Sequence, residues 1–251
     1  MSKWIKWVGH AVRDPSIAIS YIRGSKVGVN ITCLRRISTN LGHPQRAVDA
    51  YLNQILSDEK FNQEVWTELR MLDYKGWISF PEGLYTLMRI IKPEIVVETG
   101  VAAGVSSTYI LKALEDNGKG ELFSIDLPNY ELEYFPKLGI EPVAIIPKGK
   151  EVGFVIPANL RHRWHLILGK SQEVLPKLLD NHGLVDCFLH DSEHTYENMI
   201  FEYTEAWEHL RGSGVLLSDN VFMNSGFHNF SKLKMRKPLY VYFAGWGCIV
   251  K

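Results

Sequence analysis

Two apolar runs of the chain end alike. LVDCFLHDSEHTYEN (184–198) has Asp191 at its exit and His194 three residues later, and GVLLSDNV (214–221) ends in Asp219 and Asn220. Brought together, two carboxylates and an amide oxygen are hard ligands of the kind that Mg²⁺ takes. An imidazole beside them titrates near neutrality and suits a general base. Each residue also has a plainer use. Asp-Asn pairs make turns, aspartates cap helices, and Ser192 and Thr195 are cap candidates for the helix that follows. The elements that carry the four residues therefore decide between the readings.

Those elements alternate. EIVVETG (94–100) is a β-branched run ending in glycine, and SSTYILKALEDNG (106–118) has helical spacing with a glycine stop. GELFSIDL (120–127) reads as a second strand, WHLILG (164–169) as a third, and SQEVLPKLLDNHG as a helix. LVDCFLHD (184–191) is the fourth strand, TYENMIFEYTEAWEHLRGSG (195–214) a helix, and GVLLSDNV the fifth strand. PLYVYFAGWGCIVK (238–251) reads as a closing pair of strands, one of them antiparallel. Strands alternating with helices of this length imply parallel βαβ units covered on both faces. In such sheets ligands bind beyond the carboxyl ends of the strands. Asp126, Asp191 and Asp219 all fall at such ends.

The first strand runs into VVETGVAAGVSS, where Gly100 and Gly104 let the backbone approach a ligand and the next helix offers free N–H groups. The spacing is not the dinucleotide pattern G-x-G-x-x-G, which disfavours a nicotinamide oxidoreductase. Asp126, at the end of the second strand, is placed to accept hydrogen bonds from two ribose hydroxyls, with a turn or cap as its plainer use.

Residues 1–76 lack the alternation and read as mostly helical, which puts a soft boundary at DYKGW (73–77) and a single larger domain at 77–251. The opening segment, with Lys3, Trp4, Lys6 and Trp7, carries no convincing signal-peptide pattern. Its tryptophans are expected to pack on the protein itself or on a second subunit, in a homodimer, rather than on a membrane surface. Lys+Arg and Asp+Glu are both 28, which gives no pull toward nucleic acid. Cys33, Cys187 and Cys248 are isolated, without zinc or disulfide spacing, and suit a reducing compartment; the cytoplasm is the expected location. The segment 128–162, with five prolines, is long for a connection and is expected near the ligand face.

On these motifs the stretch 77–251 resembles the class I S-adenosylmethionine-dependent methyltransferases. More narrowly, it is similar to the cation-dependent small-molecule O-methyltransferases of the catechol and macrolide-sugar types. The resemblance implies an α/β, Rossmann-like seven-stranded sheet, mostly parallel with one antiparallel strand near the C-terminus, helices on both faces and a helical N-terminal extension. It places Glu98 toward the amino group of the cofactor's methionine part, Ser106 on its carboxylate and Asp126 on the ribose. Ser171 and Gln172, in LGKSQEVLPKL, fall at the adenine. Thr99, Gly100, Val101, Gly104, Ser107, Leu127, Gly169 and Asp191 complete the expected cofactor surroundings. The metal, Mg²⁺ or another divalent cation, falls to Asp191, Asp219 and Asn220. His194 stands where the macrolide-sugar enzymes carry a histidine and the catechol enzymes a lysine, which makes it the expected base.

The longer N-terminal segment and the 128–162 insertion depart from the catechol pattern, so catechol itself is not implied as substrate. The expected reaction is metal-assisted O-methylation of a small hydroxylated molecule, a sugar or a secondary metabolite. Its rivals are a metal-independent O- or N-methyltransferase of the same fold and a non-catalytic cofactor-binding scaffold.

Overall fold

The computed structural model describes residues 26–74, 76–127 and 146–251. The segment around Trp4 and Trp7, and residues 128–145 of the insertion, lie outside them.

Three helices come first: α1 (Lys26–Asn40), α2 (Gln45–Ser57) and α3 (Glu59–Met71). Helix α3 starts where the Asp58 carboxylate accepts the Phe61 amide at 3.1 Å. Pro81 opens α4 (Pro81–Ile91), where its missing N–H costs nothing. The alternation then runs β1 (Ile95–Thr99), α5 (Val105–Asn117), β2 (Glu121–Asp126), a 3₁₀ turn at Ala158–Arg163, β3 (Trp164–Leu168), α6 (Ser171–His182), β4 (Val185–His190), α7 (Tyr196–His209), β5 (Leu210–Ser218), α8 (Gly226–Leu233), β6 (Leu239–Val241) and β7 (Trp246–Val250).

The seven strands form one sheet in the order β3-β2-β1-β4-β5-β7-β6. Only β7 runs against the others, pairing antiparallel with both β5 and β6. The expected fold is thus observed. Side chains of successive strand residues enter opposite layers. In β1, Val96 joins a core shared with α1–α5, whereas Val97 joins a core shared with α6–α8. The three N-terminal helices belong to the first of these cores. They are also tied to it by hydrogen bonds, Trp66 Nε1 donating to the Tyr109 hydroxyl (3.0 Å) and the Phe243 amide to Asn30 Oδ1 (3.1 Å).

One element differs from its expected bounds. Helix α7 stops at His209, and the following strand starts at Leu210 rather than at Gly214. Leu210 continues the apolar spacing of the helix, but it pairs with Val185 of β4, and the register then shifts before Cys187 meets Val215. Backbone pairing with β4 and full burial of Leu210 override the local helical pattern.

The order of strands reverses between β1 and β4, so their carboxyl ends mark the switch point of the sheet, where ligands of such folds bind. The register across this region is regular. Ile125, Thr99, His190 and Ser218 pair in one row. Asp126, Gly100, Asp191 and Asp219 each stand one residue beyond it. The row is held by the amides of Gly100, Asp191 and Asp219, which donate to the carbonyls of Ile125, Thr99 and His190 at 2.8 Å each. Three acids from three strands are thereby aligned on either side of one glycine.

Gly100 has φ +86, and a Cβ on it would lie 2.0 Å from the Asp191 carbonyl oxygen, so no side chain fits there. Gly118, which ends α5 with φ +68, has nothing within 4 Å of such an atom. Gly118→Ala is expected to lose only the left-handed backbone preference, about 1–2 kcal/mol. Gly100→Ala loses that and also pushes β1 from β4. Urea unfolding of the two variants should show the loss at Gly100 to be at least roughly twice that at Gly118.

Candidate active site

The turn after β1 passes over the end of β2. Asp126 Oδ2 accepts the amides of Val101 (2.7 Å) and Ala102 (2.8 Å), and its Oδ1 makes no hydrogen bond among the described residues. Burial holds the Asp126 pKa above its ordinary value, with the two amides opposing the rise. Helix α5 begins at Val105 behind Gly104, with no side chain capping its first amides. Gly104 has φ +92, and the chain returning from the insertion packs on it, a Cβ there meeting Gly153 Cα at 2.8 Å. That returning segment is bonded to the turn, the amides of Gly153 and Val155 donating to the carbonyls of Ala102 and Ala103 at 2.8 and 3.1 Å. A narrow backbone cradle with a carboxylate on one side and a helix N-terminus on the other suits a ribose joined to a small charged group.

Glu98, two residues before Gly100, points to the α5 layer and is fully buried. It accepts hydroxyls from Ser106 (3.2 Å), Ser124 (2.7 Å) and, at closer range, Ser107. Burial pushes its pKa up to about 7 despite the three donors. Ser106 and Ser107 are thus turned into the protein toward Glu98.

At the ends of β4 and β5, ligand atoms of Asp191, His194 and Asp219 all lie within 4.8 Å of one another. Asp219 is buried, while Asp191 and His194 are partly exposed. Both carboxyls are raised above their ordinary pKa, first by burial and, for Asp191, next by the charge of Asp219. Asn220, in the left-handed region at φ +50, donates from Nδ2 to Asp219 Oδ2 (2.9 Å) and meets His194 Nε2 at 3.0 Å. His194 Nε2 lies 3.8 Å from Asp191 Oδ1. Neither aspartate caps a helix; Thr195 does, its hydroxyl accepting the Asn198 amide at 3.3 Å. Two carboxylates held this close repel, and a hard divalent cation between them removes that cost, so the donor set fits such an ion.

Behind His194 runs a buried chain of bonds. Glu202, on α7, is fully buried and accepts from Thr99 Oγ1 (2.5 Å), His190 Nδ1 (2.6 Å), Ser192 Oγ (2.7 Å) and Asn198 Nδ2 (3.0 Å). His190 Nε2 in turn meets His194 Nδ1 at 3.2 Å. Desolvation opposes ionisation of Glu202, but His190 outweighs it and brings its pKa down to about 2. An ionised Glu202 only accepts, so His190 donates from Nδ1. Burial and the neighbouring His190 bring the His194 pKa down to about 3, so the ring is neutral at ordinary pH.

The expected residues therefore divide. Gly100, Val101, Asp126, Asp191, His194, Asp219 and Asn220 gather around the β1–β4 switch point. Thr99, Ser106 and Ser107 face inward, on Glu202 and Glu98. Leu127 is exposed beyond β2, and the Gly169 amide donates to the Asp126 carbonyl at 2.9 Å. Gln172 donates to Asn198 Oδ1 at 2.6 Å, and Ser171 acts on Glu202. Glu202 was not picked out from the sequence. Its one signal is position, an acid on the stripe of α7 otherwise filled by Met199, Tyr203 and Ala206.

A family model described as a methyltransferase domain matches residues 97–221. Comparison with curated proteins finds no match. Among solved structures, an O-methyltransferase from Bacillus cereus in complex with SAH is 16% identical, with a TM-score of 0.56 over 82% of this chain and 97% of that one. The O-methyltransferase TomG from Streptomyces achromogenes, involved in tomaymycin synthesis and solved with SAM, is 20% identical, with a TM-score of 0.52 over 81% and 94%. A methyltransferase from Geobacter sulfurreducens is 16% identical, with a TM-score of 0.53 over 81% and 95%. At these identities the likeness is one of fold.

The two buried glutamates should respond to pH with opposite signs. Glu98 keeps its proton in the fold up to about pH 7, whereas the unfolded chain releases it near 4.5. Its contribution is therefore full below pH 4.5 and falls away as pH rises to 7, by about 3 kcal/mol. Denaturant titrations at pH 5 and 7.5 should show this fall in the wild type and not in Glu98→Gln. Glu202, with its lowered pKa, stabilises above pH 4.5 and loses that contribution as pH drops toward 2. At neutral pH Glu202→Gln puts an amide among four donors and should lower the unfolding free energy by on the order of 3 kcal/mol.

Proposed function

We propose that the chain, whose residues 97–221 match a methyltransferase domain, is a class I S-adenosylmethionine-dependent methyltransferase that methylates an oxygen of a small hydroxylated molecule, a sugar or secondary metabolite, with help from a divalent cation. One observation carries this reading: Asp126, Gly100, Asp191 and Asp219 share a single row across the switch point of the sheet. A ribose acid and a metal acid on the same row face each other across the turn that passes the cofactor.

S-adenosylmethionine would supply an electrophilic methyl group on a sulfonium, and the cation a charge that favours a deprotonated acceptor oxygen. The chain's own part is placement and proton handling. Asp126 holds the ribose hydroxyls, Gly100 and Val101 let the backbone approach, and the α5 N-terminus faces the anionic end. Asp191, Asp219 and the Asn220 side chain are the ligands for the cation. His194 is the proton acceptor: it is neutral, its Nε2 is turned to Asn220 and Asp191, and Glu202 supports a positive charge on it through His190. Since methyl transfer is an in-line displacement, holding the oxygen and the methyl group in line is most of the catalysis.

Calorimetric titration with S-adenosylmethionine should show micromolar binding that Asp126→Ala weakens at least roughly tenfold. Asp219→Ala should leave that binding largely intact while abolishing transfer to a hydroxylated acceptor, as a chelator should. Cofactor binding with chelator-resistant transfer would favour the metal-independent form, and absence of binding would sink the reading.

A further inference from the structure

The chain bends after α3, and Tyr74 stands in the bend, its amide donating to the Leu69 carbonyl at 3.0 Å. Its ring packs edge-on against Phe154, with centroids 5.8 Å apart and planes at 85°. The residue is only 7% exposed, and its hydroxyl is the one buried side-chain oxygen or nitrogen among the described residues without a hydrogen-bond partner. Around it the protein satisfies far more demanding groups, including the fully buried Glu98, Glu202 and His190. Leaving a buried hydroxyl unpaired costs about 1–3 kcal/mol, whereas a phenylalanine would make the same ring contacts without that cost.

The position of this hydroxyl gives it a use. The Ala103 amide, in the turn between Gly100 and Gly104, bears on the phenol oxygen as a donor, which leaves the O–H itself without an acceptor, and the charges of Asp126 and Asp191 both act on the group. Those acids end β2 and β4, the two neighbours of β1. A group that senses both and touches the turn between them is over the carboxyl end of β1. Burial, with the two carboxylates adding to it, pushes the phenol pKa up to about 12, so the group remains an O–H donor.

We propose that Tyr74 is a cofactor contact, its hydroxyl completing a hydrogen bond to S-adenosylmethionine bound over the Gly100–Gly104 turn. This rests on the reading of the site as a cofactor site. It also gives the residues before 77 a part in that site, because the bend after α3 carries the donor.

The test is calorimetric titration of wild type and Tyr74→Phe with S-adenosylhomocysteine, together with thermal unfolding of each without ligand. Tyr74→Phe should bind roughly tenfold more weakly, as expected for one lost hydrogen bond. Its unfolding temperature without ligand should equal or exceed that of the wild type, because no bond within the protein is removed. Equal affinity in the two proteins would overturn the proposal. So would a lower unfolding temperature for the variant, which would mean that the hydroxyl is already bonded in the fold. Failure of the wild type itself to bind would instead remove the cofactor reading, and the proposal with it.

Discussion

The site depends on one buried charge. Glu202 stands between sheet and helix with no exposure and collects four donors, from β1, from the end of β4, from the loop after it and from its own helix. An ionised carboxylate is tolerated there only because each oxygen is bonded and His190 lies beside it. Through that single group the position of α7 is coupled to the row from which Asp191 leaves. The orientation of His194 follows, since His190 is fixed on one side by Glu202 and meets His194 on the other. The reacting edge is therefore placed by a network in the layer below it.

The opposite layer has its own buried acid. Glu98 is ringed by hydroxyls and not by a cationic partner, and it is raised where Glu202 is lowered. Two glutamates, on α7 and on β1, thus reach opposite protonation states by the company they keep. Near neutrality Glu98 is poised to change its charge, and Glu202 is not. A cationic group arriving near Glu98 would draw out its proton, whereas the charge under His194 stays constant.

The strand-end acids were legible in the sequence because a buried strand announces its own exit: an apolar run stops and an acid follows. Asp126, Asp191 and Asp219 were found that way, and the parallel strand–helix frame followed from the alternation of elements. The end of α7 was misread because Leu210 keeps helical spacing with Met199, Tyr203 and Ala206, and only pairing with Val185 shows that it is a strand residue. Glu202 and Tyr74 lay beyond reach for a different reason. What marks Glu202 is the set of donors that converge on it from four places in the chain. What marks Tyr74 is a missing partner. Both are properties of packing between distant segments, and neither is written in local pattern. Ser106 and Ser107 show the reverse case, where a motif singles out two residues whose side chains turn inward to Glu98.

The shared row also works as a ruler. Neighbouring strands lie about 4.8 Å apart, so Asp126 and Asp219, separated by three such steps, are held about 14 Å from each other by backbone hydrogen bonds alone. That span does not depend on any loop. Connections between the strands can vary in length and course, and the gap between Asp126 and Asp219 stays the same; only a slip of register between strands would change it.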